Sequence, residues 1–150
     1  MKSTLLLAAA GAVCALAAPA FAEPYDDYTF QKGGWEVTSV RVEPSHLDDY
    51  ITGLKGSWVP QMKLSQAHGV VDRYEVMVKL TSSGAGANVL LAVHYPTLSV
   101  LEPDRARDKA IEKEGLAQMS KEKSDAVVAG YDKYREFVGD EIYVPVDFGK

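Results

Sequence analysis

The rhythm of apolar and polar positions changes several times along the chain, and each change marks an element. Residues 35–42 (WEVTSVRV) alternate and are rich in β-branched side chains, which predicts a strand. Pro44-Ser45 then punctuates, with Ser45 a candidate helix N-cap and Asp48 three positions on. Leu47, Ile51, Leu54, Trp58 and Met62 recur at steps of four, three, four and four, one apolar stripe of an amphipathic helix. Gly53 and Gly56 weaken that helix, Pro60 is a kink point, and Gly69 after His68 is a natural C-terminal cap. Residues 70–80 read as a second strand, 81–88 (TSSGAGAN) as a hairpin loop, and 89–95 as a third strand. From Thr97 the pattern is helical, with Pro103-Asp104 suited to a first turn and Gly115 and Ser120–Ser124 dividing the region in two. Val127, Tyr131, Tyr134 and Val138 form the buried stripe of the second piece. Gly139 stops it, and residues 141–148 (EIYVPVDF) read as a fourth strand. Pro145 lacks a backbone N–H, so this strand is expected at an edge or with a bulge.

Strand, helix, strand, strand, helix, strand is the order of two split βαβ units. With right-handed crossovers it predicts a ferredoxin-like α+β sandwich: a four-stranded antiparallel sheet with its helices on one face. The first strand should be central, flanked by the third and fourth, with the second outside the third. One sheet face then remains uncovered.

The ends of the chain refine this. Lys2, the apolar run 5–18 and Ala20-Phe21-Ala22 before Glu23 have the form of a signal peptide, residues 1–22, cleaved after Ala22. Cys14 lies inside that run, preceded by Val13 where a lipid-attachment site takes a small residue. The 128 residues left would hold no thiol, which suits an oxidising compartment, periplasmic or outside the cell, and excludes disulfides and thiolate catalysis. They would keep all 21 Asp and Glu but lose Lys2 from the 16 Lys and Arg, for a net charge of −6. Such a charge argues against nucleic-acid binding, and no second long apolar run predicts a membrane span. Residues 23–34, polar with scattered aromatics, read as a loosely held arm, and 35–150 as one domain.

Strand parity sorts the two sheet faces. Val70, Tyr74, Val76, Val78 and Leu80, then Val89, Leu91, Val93 and Tyr95, then Ile142, Val144, Val146 and Phe148 make an apolar face for the helices. The opposite face carries Arg73, Glu75, Met77 and Lys79, Leu90, Ala92 and His94, and Glu141, Tyr143 and Asp147. It is either a solvated surface or the contact of a homodimer, two sheets packed across a two-fold axis around a chamber.

His94 is the leading candidate for chemistry. If the hairpin closes symmetrically, Glu75 lies opposite it, where a carboxylate would favour the imidazolium or hold a neutral ring in one tautomer for proton abstraction. Arg73 and Tyr143 share that face. The bland reading is a cross-strand charge pair. Trp58, Tyr50, Tyr74 and Tyr95 are candidates to line a small-molecule pocket between helix and sheet, or are simple core. His46 and His68 mark helix ends, and the three histidines have no metal-type spacing, so neither a metal nor another cofactor is expected. Ser120-Lys-Glu-Lys123 matches S-x-x-K without its partner motifs, and Gly84-Ala-Gly86 lacks the rest of a phosphate cradle.

The segments WEVTSVRVEPSHLDDYITGL (35–54), VLLAVHYPTLSVLE (89–102) and YREFVGDEIY (134–143) resemble the dimeric α+β barrel proteins, in particular the antibiotic-biosynthesis-monooxygenase-like and NIPSNAP-like groups. The resemblance spans essentially the whole mature chain and lies in hydrophobic wording and element order, not in a catalytic set. It implies a homodimer, with functions that range over cofactor-free oxygenases, isomerases, haem-degrading enzymes and regulators. The leading expectation is an exported dimeric protein that either holds a small, partly apolar ligand or acts structurally as an interaction module. A cofactor-independent monooxygenase or isomerase using His94 is the alternative, and a haem-binding protein with His94 as axial ligand the third.

Overall fold

A computed structural model describes residues 25–80 and 86–148. Residues 1–22, expected to be a signal peptide, and most of the hairpin loop lie outside the described residues. Among the described residues six strands and four α-helices follow in order: β1 (Tyr28–Phe30), β2 (Gly34–Val42), α1 (Leu47–Leu54), α2 (Trp58–Ala67), β3 (Arg73–Val78), β4 (Val89–Tyr95), α3 (Arg105–Gln118), α4 (Lys121–Tyr131), β5 (Arg135–Tyr143) and β6 (Val146–Phe148). The main sheet is antiparallel with order β3-β4-β2-β5, which is the order expected from the two split units. The fold is a ferredoxin-like α+β sandwich.

Both core clusters lie on one face. Val40, Val42, Val89 and Leu91 from the sheet meet Tyr50 and Leu54 of α1 and Tyr131 of α4, while Val71, Val93 and Tyr95 form a smaller cluster with Trp58 and Met62 of α2. Among the buried apolar residues of the sheet only Ala92 has the opposite parity.

Several local expectations are corrected. The first helix is two helices, because the chain turns at 55–57 around Gly56. Pro60 therefore sits in the first turn of α2, where its missing N–H removes no helical bond, and does not kink a longer helix. Ser45 lies in a short 3-10 turn, Pro44–His46, and His46 takes the N-cap position of α1 with no side-chain cap. Gly69 does cap α2, at φ +70°. The third and fourth helices are each started by a side chain. Asp104 accepts from the Ala106 and Arg107 amides at 3.0 and 3.1 Å, and Ser120 from the Lys123 amide at 3.4 Å. The S-x-x-K match is thus a helix cap. Gly115 lies inside α3, against Gln61 and Leu64 of α2, and does not break it.

The largest difference is at the fourth strand. The last helix ends at Tyr131, so Tyr134 and Val138 leave the expected stripe and β5 begins at Arg135. Val138 is an extra residue in β5, since Ser39 pairs with Gly139 and Val40 with Phe137. Pro145 separates β5 from β6, which pairs not with the main sheet but with β1 of the arm: Tyr28 opposite Phe148, Thr29 opposite Asp147, Phe30 opposite Val146. Asp147 therefore leaves the mixed face and accepts from Gln31 Nε2 at 3.0 Å, and Phe148 is 79% exposed instead of covered by helices. Residues 28–32 of the arm are hydrogen-bonded to the domain, through the β1–β6 pairing, Gln31 N to Pro145 O and Leu98 N to Lys32 O. Leu80 lies past the end of β3 and is 95% exposed.

Candidate functional site

Register decides which candidates meet. Lys79 donates its amide to Asn88 O at 2.9 Å, while the Asn88 side chain closes a pair of 2.8 Å bonds with the backbone of Val42. Asn88 thus locks the start of β4 against β2, and Val78 pairs with Val89. The hairpin is two residues out of the symmetric closure. Glu75 lies opposite Ala92, not His94, and Arg73 takes the place opposite His94.

The shift builds a different constellation. Arg73, His94, Trp35 and Tyr143 occupy one row across all four strands of the uncovered face. The Arg73 guanidinium lies 4.6 Å from the Trp35 ring centroid, and the His94 ring meets Trp35 edge-on at 4.9 Å. The carboxylate beside His94 is Asp72, whose Oδ1 is 2.6 Å from Nδ1. A carboxylate only accepts, so Nδ1 carries the proton and a neutral His94 presents its lone pair on Nε2. The next row, Glu75, Ala92, Val37 and Glu141, places two small apolar residues between two acids.

The aromatic candidates divide between two places. Tyr50 and Trp58 line a cleft of about 340 Å³ between the helices and the sheet, together with Leu54, Val127, Phe137 and Arg135. Tyr74 meets Trp58 edge-on at 5.5 Å but does not line the cleft. Tyr95 belongs to the smaller cluster and donates its hydroxyl to Glu36 Oε2. Burial, then the bond to Glu36, pushes the Tyr95 hydroxyl well above its usual pKa of 10.

That shift has a sign. Above about pH 10 an unfolded tyrosine loses its proton while the folded one keeps it, so the native state binds more protons and stability falls as pH rises. Urea midpoints measured from pH 8 to 11 should fall on the alkaline side, and Tyr95→Phe should flatten that limb. An identical limb in the mutant would assign the loss to other groups.

Sequence reasoning missed Arg135. Reading residues 127–138 as one helix hid it between stripe positions, but β5 begins at this residue and its parity turns it toward the helices. Its side chain is 9% exposed, with the guanidinium 4.6 Å from the Phe137 ring, 5.0 Å from Tyr131 and 5.8 Å from Tyr50. Among the described residues Arg135 Nε and the Tyr50 hydroxyl have no hydrogen-bond partner. Each such buried group costs on the order of 1–3 kcal/mol. Burial raises the Tyr50 pKa, and nearby Arg135 offsets this only in part.

Other features are ordinary. His46 stacks on Tyr134 at 4.7 Å and lies 3.4 Å from Asp49, and His68 is 3.2 Å from Glu114. A groove of about 370 Å³ beside Arg41, Glu43, Lys133 and Glu136 is lined by charges of both signs, with the mostly buried Arg135 also on its wall. Among the described residues no group of three or more His, Cys, Asp or Glu gathers to hold a metal, and no helix is long and apolar enough to cross a membrane.

No protein-family model matches the chain, and no curated protein does. Solved structures similar to it include HapK from Hahella chejuensis, at 13% identity and TM-score 0.45, covering 78% of this chain and 96% of that one. A conserved protein of unknown function from Bacteroides thetaiotaomicron, described as a possible oxidoreductase, has 15% identity and TM-score 0.43 over 77% and 99%. A dimeric protein of unknown function with a ferredoxin-like fold from Bacteroides fragilis has 11% identity and TM-score 0.38 over 80% and 99%. The fold assignment rests on the strand order itself.

Proposed function

We propose that the protein is exported and binds a small, partly apolar ligand in the cleft between helices and sheet, as a homodimer joined through the uncovered sheet face. The observation that carries this reading is the cleft. Protein interiors fill their space to crystal-like density, and a site of this size, walled by Trp58, Leu54, Val127 and Phe137, falls at the small end of the ~300–1,000 Å³ usual for ligand pockets. Export rests on the signal-like residues 1–22, and the dimer on the small apolar centre of the uncovered face together with the resemblance to dimeric barrels.

Native mass spectrometry of protein purified from its own host tests all three parts, giving the mature mass, the subunit count and any bound molecule. Val128→Trp, at the exposed wall of the cleft, should keep fold and dimer but lose the bound molecule. Wild-type protein that carries nothing and takes up no apolar probe would remove the ligand-binding reading.

A second reading, a cofactor-independent monooxygenase or isomerase, is favoured by one contact. Asp72 fixes the His94 tautomer so that Nε2 is the base. Oxygen-dependent turnover of an electron-rich aromatic that disappears in His94→Ala, with the dimer intact, would support it.

A further inference from the structure

The ligand's chemistry is written in the polar groups of the cleft. Among the described residues its walls are apolar or neutral except at Arg135, and no carboxylate lines it. The guanidinium lies among the rings of Tyr50, Tyr131 and Phe137, 5.8, 5.0 and 4.6 Å from their centroids, and its Nε has no hydrogen-bond partner among the described residues. Its acid partner is Asp132, 3.4 Å from Nη2, a long contact to a largely exposed carboxylate. Nε of Arg135 and the hydroxyl of Tyr50 are left as two buried donors on side chains that line the same cleft.

A mostly buried cation with a weak counter-ion and spare donors suits an anion. The guanidinium fork matches a planar two-oxygen acceptor, and one arginine between aromatic walls suits a single negative charge better than a phosphate dianion. Resting on the ligand-binding reading above, we infer that the ligand is a small carboxylic acid bound as its anion. One oxygen accepts from Arg135 Nε, the Tyr50 hydroxyl donates to the carboxylate, and the apolar body lies along Trp58 and Leu54.

Titration of the mature protein with 3-phenylpropionate and with octanoate, each against its own amide, followed by calorimetry and tryptophan fluorescence, tests this. The acids should bind at least about tenfold more tightly than the amides. Arg135→Gln should bring acid affinity down to that of the amide and leave the amide unchanged. Should Arg135→Gln fail to fold, Tyr50→Phe, which keeps the ring, should still weaken the acid selectively. Equal binding of acid and amide overturns the carboxylate inference and leaves the ligand-binding reading standing. Displacement of the acids by inorganic phosphate at equal concentration also overturns it. No binding of any of the four compounds at millimolar concentration overturns both.

Discussion

A methyl group added at Gly53 should destabilise the protein by about 1–3 kcal/mol, although alanine is the better helix former by about 1 kcal/mol. The Cβ would fall within contact distance of the Tyr131 hydroxyl and 2.9 Å from its Cε1. Tyr131 cannot easily retreat. It is buried in the main core cluster and lies against Tyr50 at 5.2 Å, and its hydroxyl is 3.0 Å from Ser57 Oγ. Ser57 in turn donates to the Gly53 carbonyl at 3.0 Å, so its one proton is committed and Tyr131 supplies the proton between them. Gly53 is therefore where the Tyr131 side chain of α4 packs onto α1, and Tyr131 is part of the cleft wall. Two nearby glycines should behave oppositely. A Cβ at Gly130, inside α4, meets nothing within 4 Å, and one at Gly56 meets only Gly53 O at 3.8 Å. Their alanine variants should be neutral or stabilised by up to about 1 kcal/mol. Denaturant midpoints for the three variants, with Tyr131→Phe added to Gly53→Ala, separate the cases. The double variant should recover part of the loss, because the nearest clashing atom is gone. A Gly53→Ala protein as stable as wild type would mean that the two helices do not meet as described.

The strand order and the two sheet faces were legible because parity is a short-range signal: a strand with one buried face repeats its apolar residues every second position, as Val89, Leu91, Val93 and Tyr95 do. Register was not legible, because it is set by contacts across the sheet. Asn88 looks like any loop residue in sequence, yet its side-chain amide mimics a backbone unit against Val42 and its carbonyl accepts from Lys79, in a hairpin two residues from symmetric closure. The same limit hid the start of β5. Val127, Tyr131, Tyr134 and Val138 satisfy a helical spacing, and only the pairing of Arg135 with Val42 and Phe137 with Val40 turns the segment into a strand. With that error went the cleft's one charged side chain. Tyr50 and Trp58 were found because they stand on or beside a regular helical stripe, whereas Tyr95 was drawn away by an acceptor on the neighbouring strand, Glu36. The site's aromatic wall was local information; its polar handle was tertiary.

Ala92→Arg should convert the proposed homodimer to monomer without unfolding the chain. Ala92 is 1% exposed and sits in the centre of the uncovered face, opposite Val37 on one side and Glu75 on the other. A long side chain there can only rise out of the sheet. In a monomer it must part the neighbours that cover Ala92 before it reaches water, a cost that monomer and dimer share. In an isologous dimer the same patch meets itself, so the two-fold axis brings two guanidinium groups into one interface, each taken out of water. A buried, unpaired charge typically costs about 3–5 kcal/mol, enough to weaken association on the order of a hundredfold or more. Arg41 and Glu136, which pair with each other farther along the face, are a control. Removing both should leave the dimer nearly intact, since exposed pairs contribute ~0–1 kcal/mol. Light scattering across a concentration series, with circular dichroism to confirm the fold, reads both outcomes. If wild type is already monomeric at micromolar concentration, the face is a solvated surface. The row of Arg73, His94, Trp35 and Tyr143 would then enclose no chamber, while the cleft around Arg135, built within one chain, would remain.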